Sequence, residues 1–402
     1  MKASPTKTLI VDNGAYSIKA EYSQAETPKI FPNAIMKAKN ERKRIFISSQ
    51  IDDCKDLSSL YYVLPFQKGF LVHWDVQHQI WDYIFGKDVL KVDFDDTKLI
   101  LTEPMFNFGS IGDSLDEVIF EEYQFHSALR VNAPTLSAFQ YTVERPHDTN
   151  GVLVVDSGYS FTHIVPYSRG RLLKDAVVRM NVGGKLLTNH LKEITSYRQL
   201  HVMDETYVMN QCKEDACYVS MNFNGDLALA KLRPPINNVL REYVLPDFAD
   251  IPKGYMRNPM SKEDGSIHGD EQLIRMNHER FTVPELLFHP SDVDLKEMGI
   301  PETICHVVSK CPAAAQPYLF NNICLTGGST CFKNLEERVF AEVRSSVPDN
   351  LDVRTYRPSS PVTYAWRGGV SLSKQTIFDE MLVKKAEYEE HGHSICKSRF
   401  NL

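Results

Sequence analysis

Apolar runs recur along this chain in one order. Leu9-Ile10-Val11 is a β-branched run that ends in Asp12-Asn13-Gly14 and reopens, past Ala15-Tyr16, as Ser17-Ile18-Lys19. Leu153-Val154-Val155 ends the same way in Asp156-Ser157-Gly158 and reopens, past Tyr159-Ser160, as Phe161-Thr162-His163. A buried strand followed by Asp-x-Gly predicts a hairpin whose tip carries a carboxylate and backbone N–H groups. Two copies in phase predict a duplicated chain with one hairpin on each side of a cleft. Such tips can hold a polyphosphate and its Mg²⁺ between them.

The remaining pattern predicts strands and helices in alternation. Residues 8–33 read as strands around the first turn. Between Gly69 and Gly86, Trp74, Ile80, Trp81, Ile84 and Phe85 fall at helical spacing, which predicts one core-facing amphipathic helix. Residues 99–104 read as a short buried strand stopped by proline. A second amphipathic helix is predicted at 113–125, with Phe120, Tyr123 and Phe125 in the core. Val182-Gly183-Gly184 predicts a turn into a helix whose N-terminus faces an anion. Residues 204–219 read as a helix carrying Lys213 and Glu214.

From Asn222 to about Ser266 the period dissolves around Pro234-Pro235, Pro246, Pro252 and Pro259. An irregular excursion without regular helix is expected there. Tyr243, Val244, Leu245, Phe248, Tyr255 and Met256 place aromatic and aliphatic anchors in it. They suit a partner-binding segment, or else pin the loop to its own lobe. Deleting 236–262 is expected to leave a folded protein that no longer co-purifies with its partners. A helix at 270–281 follows, then a strand into Gly327-Gly328-Ser329 before a helix at 333–345. Trp366-Arg367-Gly368-Gly369 and a charged helix through Tyr388 close an α/β chain of two related lobes.

Composition narrows the function. The 402 residues suffice for two or three domains of ~150 residues each. Hydrophobic residues at 43% and charged residues at 24% are the balance of a soluble globular chain. A net charge of −7 argues against a protein whose main business is gripping nucleic acid. No apolar run approaches the ~20 residues of a membrane span, and the polar residues 1–8 do not read as a signal peptide. A cytosolic or nuclear location is expected. Eight scattered cysteines without Cys-x-x-Cys, and thirteen histidines without a His-x-x-x-His pair, predict idle thiols and no metal site made of protein ligands alone. Lys37, Lys39, Arg42, Lys43 and Arg44 form a basic loop, either solvated or a nuclear-import signal or phosphate contact.

The two hairpins and the Gly327-Gly328 turn, in this order, resemble the superfamily of actin, the sugar kinases and the 70-kDa heat-shock chaperones. Trp74-Asp75 with Ile80-Trp81, Leu101-Thr102-Glu103-Pro104, Phe120-Glu121, Thr162-His163, Cys217-Tyr218-Val219 and residues 387–395 are similar to actin. The match covers essentially the whole chain. Stretches 64–69, 156–163, 181–193, 196–205 and 243–248 depart from conventional actin and resemble a nuclear actin-related branch of the family. The resemblance implies a duplicated two-lobe, actin-like (ribonuclease H-like) fold with a central cleft and four subdomains. The first holds 1–33, 65–146 and 364–402; the second, short and basic, 34–64; the third, 147–182 and 296–363; the fourth, 183–295 with the excursion. The resemblance also implies a nuclear, non-catalytic subunit of a Swr-type remodeller that installs a variant histone in nucleosomes, with some presence in the cytoplasm not excluded. Its expected partners are the motor chain's insert and a zinc-finger subunit, with the nucleosome touched indirectly, no membrane and no homopolymer.

Carried over position by position, Asp12 and Asp156 match the carboxylates facing metal and phosphates, so a metal enters only with a bound nucleotide. Lys19 matches a phosphate-reaching lysine, and Asn13, Gly14, Ser157, Gly158 and Gly184 belong to the same turns. Lys213 and Glu214 match a pair beside the nucleoside, and Gly327, Gly328 and Ser329 the turn against phosphate and sugar. His163 matches a histidine at the hydrolytic water, or is a satisfied hydrogen bond at a strand end. The departures are Ala15-Tyr16 for a small hydroxyl residue and glycine, and Tyr159-Ser160 for Asp and Gly. Ala133 replaces the water-orienting glutamine, Val362 the lysine on the adenine side, and Lys185 an arginine. Losing one positioning group costs on the order of 2.7–4 kcal/mol of barrier, so several losses together predict no turnover. The rival reading is a nucleotide-binding ATPase or phosphotransferase of the superfamily. ATP or ADP with Mg²⁺ as an unhydrolysed structural ligand stays open, favoured by Asp12 and its companions and opposed by Tyr16, Tyr159 and Val362.

Overall fold

The computed structural model describes residues 7–38, 44–54, 60–147, 150–247, 251–259 and 271–400. Two six-stranded sheets carry the architecture. The first runs in space Val383–Lys384, Ser127–Asn132, Thr97–Glu103, Lys7–Asn13, Ser17–Tyr22, Lys29–Pro32. The second runs Arg171–Leu172, Thr162–Ser168, Gly151–Ser157, Ile323–Thr326, Thr355–Tyr356, with Val178–Met180 also on Thr162–Ser168. Each is built on one unit, an antiparallel hairpin with a parallel strand added to its first arm. Asp12 stands opposite Lys19 in the first hairpin, and Asp156 opposite His163 in the second. The predicted duplication therefore holds down to strand register.

Both first arms are apolar without alternation because both of their faces are covered. Leu9 and Val11 face the core of Ile80, Trp81 and Ile84, while Ile10 faces Ala365 and Trp366. In the second sheet Leu153 and Val155 join the large core around Ile304 and Val307, and Val152 and Val154 pack on Tyr141 and Tyr364. The helices Ala133–Glu144 and Tyr364–Ser373 lie between the sheets and touch both. They approach closely: a Cβ on Gly368 would sit 2.1 Å from the Leu136 carbonyl oxygen, and one on Gly369 2.7 Å from Ile10.

Most predicted elements are present with shifted ends. The helix Trp74–Phe85 buries Ile80, Trp81, Ile84 and Phe85. The helix expected at 113–125 begins earlier, at Gly109–Glu117, and ends in a single π-helical turn, Val118–Glu122. Phe120 and Phe125 are buried as expected. The glycine turn opens the helix Gly184–Arg198, and the helix Thr206–Ala216 follows.

The excursion is corrected. It contains the helix Phe223–Ala230, capped by the Asn222 side chain, which accepts a hydrogen bond from Gly225 N at 3.1 Å. This helix ends before the first proline of the segment, so those prolines do not oppose it. Arg241–Val244 is the central strand of a three-stranded sheet between Tyr255–Arg257 and Leu273–Met276. In place of a helix at 270–281 there is that last strand and then the helix Glu279–Glu285. Tyr243 is 0% exposed and donates to Asp215 Oδ2 at 3.1 Å, and Leu245 packs on the same core. Tyr243 is therefore not presented to a partner, Leu245 is half-buried, and deleting 236–262 would remove the sheet's centre. Tyr255 and Met256 are exposed, 43% and 38%; Phe248 lies outside the described residues. Of the basic loop, Lys37 is exposed and Arg44 lies over the Phe46 ring at 4.7 Å; Lys39, Arg42 and Lys43 lie outside the described residues.

All eight cysteines are free thiols. Among the described residues no helix is long and apolar enough to cross a membrane.

Candidate functional site

The two hairpin tips face each other across a cavity of about 1510 Å³. Asp12, Asn13, Gly14, Lys19, Asp156, Gly158, Gly184, Lys213, Glu214, Gly327, Gly328 and Ser329 all line it. Ser157 does not: it is fully buried, its hydroxyl sharing a 2.8 Å hydrogen bond with Thr162.

The first tip is a closed polar network. Asp12 Oδ1 accepts from the Thr102 hydroxyl at 2.9 Å, and Lys19 Nζ lies 3.3 Å from Asp12 Oδ2. Thr102 in turn accepts from Asn13 N at 2.9 Å. Asn33 donates to the Gly14 carbonyl at 2.9 Å, and Asn13 to Gln77 at 3.4 Å. Thr102, read only as part of the run 101–104, and Asn33 and Gln77, which sequence reasoning did not single out, hold this tip in shape. Gln77 had a readable signal, since it falls on the same helix face as Ile80, Trp81 and Ile84 yet is polar.

Asp156 lines the same cleft from the second tip. Burial and the Asp12 carboxylate beside it raise its carboxyl to about 6, against an opposing pull from Lys19. Beside it Gly327 has φ +89°, and a Cβ there would stand 2.3 Å from the Ser157 carbonyl oxygen. Only glycine takes that backbone without strain. His163 is 1% exposed, with Phe161 at 4.2 Å and Phe106 at 6.2 Å between ring centroids. Burial, helped by Arg179, pushes its imidazole down to about 3, so the ring is neutral at physiological pH. Its Nε2 has no hydrogen-bond partner among the described residues, which corrects the satisfied strand-end reading.

Lys213 is also reassigned. Its ammonium donates to Asn210 Oδ1 at 2.8 Å, Thr188 Oγ1 at 3.0 Å and the Gly184 carbonyl at 3.3 Å. Three donors meet three acceptors, so the group clamps two helices together and keeps nothing for a ligand; burial lowers its pKa. Glu214 accepts from Asn210 Nδ2 at 2.7 Å. The Gly184 amide donates to Gly158 O at 3.0 Å, and the Ser329 hydroxyl to the same oxygen at 3.3 Å.

The departures from actin all line this cavity. Tyr16 and Tyr159 bring their ring centroids to 5.0 Å, and Tyr16 Oη accepts from Asn210 Nδ2 at 3.0 Å. Ala15 and Ala133 line the cavity with methyl groups, and Val362 lines it too. Far from this cleft, Asp113, Asp116 and His393 bring ligand atoms within 4.8 Å of one another. Lys397 pairs with Asp113 and Arg130 with Asp116, both at 2.8 Å. That cluster is an ion-pair knot tying the helix His393–Phe400 to Gly109–Glu117.

A family model described as Actin matches residues 3–401. The chain is 41% identical over 389 residues to Actin-related protein 6 of Drosophila melanogaster, covering 96% of this chain and 97% of that protein. It is 36% identical over 420 residues to Actin-related protein 6 of Arabidopsis thaliana, covering 98% and 99%. It is 38% identical over 412 residues to the Actin-like protein ARP6 of Cryptococcus neoformans, covering 98% and 84%.

Proposed function

The chain belongs to the actin family, and from that premise we propose that it is a non-catalytic structural subunit of a Swr-type ATP-dependent chromatin-remodelling complex. Such a complex exchanges a variant histone into nucleosomes. In this reading the chain works in the nucleus, bound to an insert of the motor chain and to a zinc-finger subunit. Its near full-length similarity to proteins named Actin-related protein 6 supports the branch.

The observation that carries the non-catalytic half is the character of the cleft where a terminal phosphate and its attacking water would react. Ala133 and Ala15 present methyl groups there, and Tyr16 and Tyr159 present rings. A methyl group cannot hold a water in line or stabilise developing charge. Each such loss costs on the order of 2.7–4 kcal/mol of barrier. His163, buried and neutral, offers one nitrogen without a partner and no charge.

Purified chain incubated with Mg-ATP is expected to release no phosphate above a protein-free blank. Tagged chain recovered from nuclear extract is expected to bring the remodeller's motor chain with it. Turnover abolished by Asp12→Ala would refute the catalytic half of the reading, and recovery without any remodeller subunit would refute the other half.

A further inference from the structure

We propose that the phosphate end of this cleft has become a latch: the rings of Tyr16 and Tyr159, one from each hairpin tip, stand where a bridging polyphosphate would lie and hold the two lobes together without it. Actin-family membership implies a nucleotide with Mg²⁺ at this place, and the residues here do not fit one. The two rings meet at 5.0 Å between centroids and a 33° interplanar angle. Aromatic pairs at 4.5–7 Å are in contact, so no layer of phosphate oxygens passes between them.

The pair is also locked from behind. Tyr16 crosses from the first lobe to accept a hydrogen bond from Asn210 in the second. Asn210 is itself held by Lys213 and Glu214. The polar groups that would greet a nucleotide are engaged within the chain. Lys19 is paired with Asp12, the three donors of Lys213 are taken, and the Gly184 amide is bonded to Gly158. An incoming triphosphate would have to break these contacts and part the rings.

Two further contacts cross the cleft in the same sense. Tyr62 of the first lobe stacks on Tyr207 of the second at 6.3 Å and 19°. Arg179 of the second lobe donates to the Lys68 carbonyl at 2.5 Å and lies over the rings of Phe70 and Phe161 at 4.9 and 4.7 Å. Phe161 reaches the first lobe at Gly69, where φ is +81° and a Cβ would stand 2.2 Å from the ring. Three separate side-chain bridges therefore do what a ligand bridge would otherwise do. This inference stands whether or not the chain works in a remodeller.

The test uses the full chain. Wild-type protein should release no nucleotide on denaturation, and millimolar Mg-ATP or Mg-ADP should leave its melting transition in place. The double variant Tyr16→Gly/Tyr159→Asp removes both rings; it should melt lower in buffer and gain a rise of more than ~2 °C with Mg-ATP, as a ligand that binds only the folded state produces. A wild-type rise of that size, or stoichiometric nucleotide released from wild-type protein, would overturn the latch. Should the double variant not fold, small-angle scattering of single variants decides. Tyr159→Ser should enlarge the radius of gyration of the nucleotide-free chain while Tyr159→Phe leaves it unchanged. An unchanged profile for Tyr159→Ser would overturn the proposal.

Discussion

Asp156 and His163 face each other in one hairpin, and burial favours the neutral form of both. Asp156 titrates near 6 in the folded chain, above its ordinary 3.8. Between those values the folded state binds a proton that the unfolded state has released, so stability falls as pH rises from about 4 to 6. Above pH 6 the whole cost of a buried carboxylate beside Asp12 is present, on the order of 2–3 kcal/mol. Asp156→Asn should therefore raise stability at pH 7.5 by up to that amount, with the gain shrinking below pH 6 and gone near pH 4. Urea unfolding across that range checks it, and a gain that grows on acidification would contradict the assignment. His163 works oppositely: its folded pKa near 3 lies below the ordinary 6.5, so stability is lost as pH falls through that window. The pairing of Asp12 with Lys19 was foreshadowed by their places in the repeated motif. The raised carboxyl of Asp156 was not, because it depends first on burial in the assembled cleft and then on Asp12 arriving from the other lobe.

At the scale of elements, the long apolar-periodic helices were read correctly and the short strands between prolines were not. The helix Trp74–Phe85 announces itself through five apolar positions at one spacing. The strands Arg241–Val244 and Tyr255–Arg257, four and three residues long, carry too few positions for a period. They are strands because Arg241–Val244 pairs on one side with Tyr255–Arg257 and on the other with Leu273–Met276, which lies beyond both in sequence. This changes the partner experiment. Removing 236–262 takes away Tyr243 and the Val239 carbonyl held by Arg280, so that deletion should unfold the region around the three-stranded sheet. Tyr255→Glu with Met256→Glu instead alters two exposed side chains on an edge strand. The double variant should keep the wild-type melting transition and lose recovery of the remodeller from nuclear extract. Recovery at wild-type levels would place the partner surface elsewhere.

Across the whole molecule, the lobes are joined by the two helices between the sheets and by the side chains that span the cleft. A chain whose lobes are fixed in this way should not polymerise. Sedimentation at micromolar concentration in Mg²⁺ and KCl is expected to show a monomer; long filaments under those salts would refute this. The family and the two-lobe plan were legible because they rest on repeated local motifs. The contacts across the cleft were not, because they are relations between residues as distant as Tyr16 and Asn210.

Resemblance to actin marked Ala15, Tyr16, Ala133 and Tyr159 as departures in the cleft, and the sequence by itself determined the two hairpins, the strand and helix alternation and the main amphipathic helices. Each follows from side-chain chemistry and spacing within a few turns or strand residues. Only the tertiary structure decided that Tyr16 meets Tyr159, that Lys213 spends its three donors on its own helices, and that Tyr243 lies in a core. Those outcomes depend on which surfaces fold together, and a buried donor or ring takes the partner that packing delivers to it.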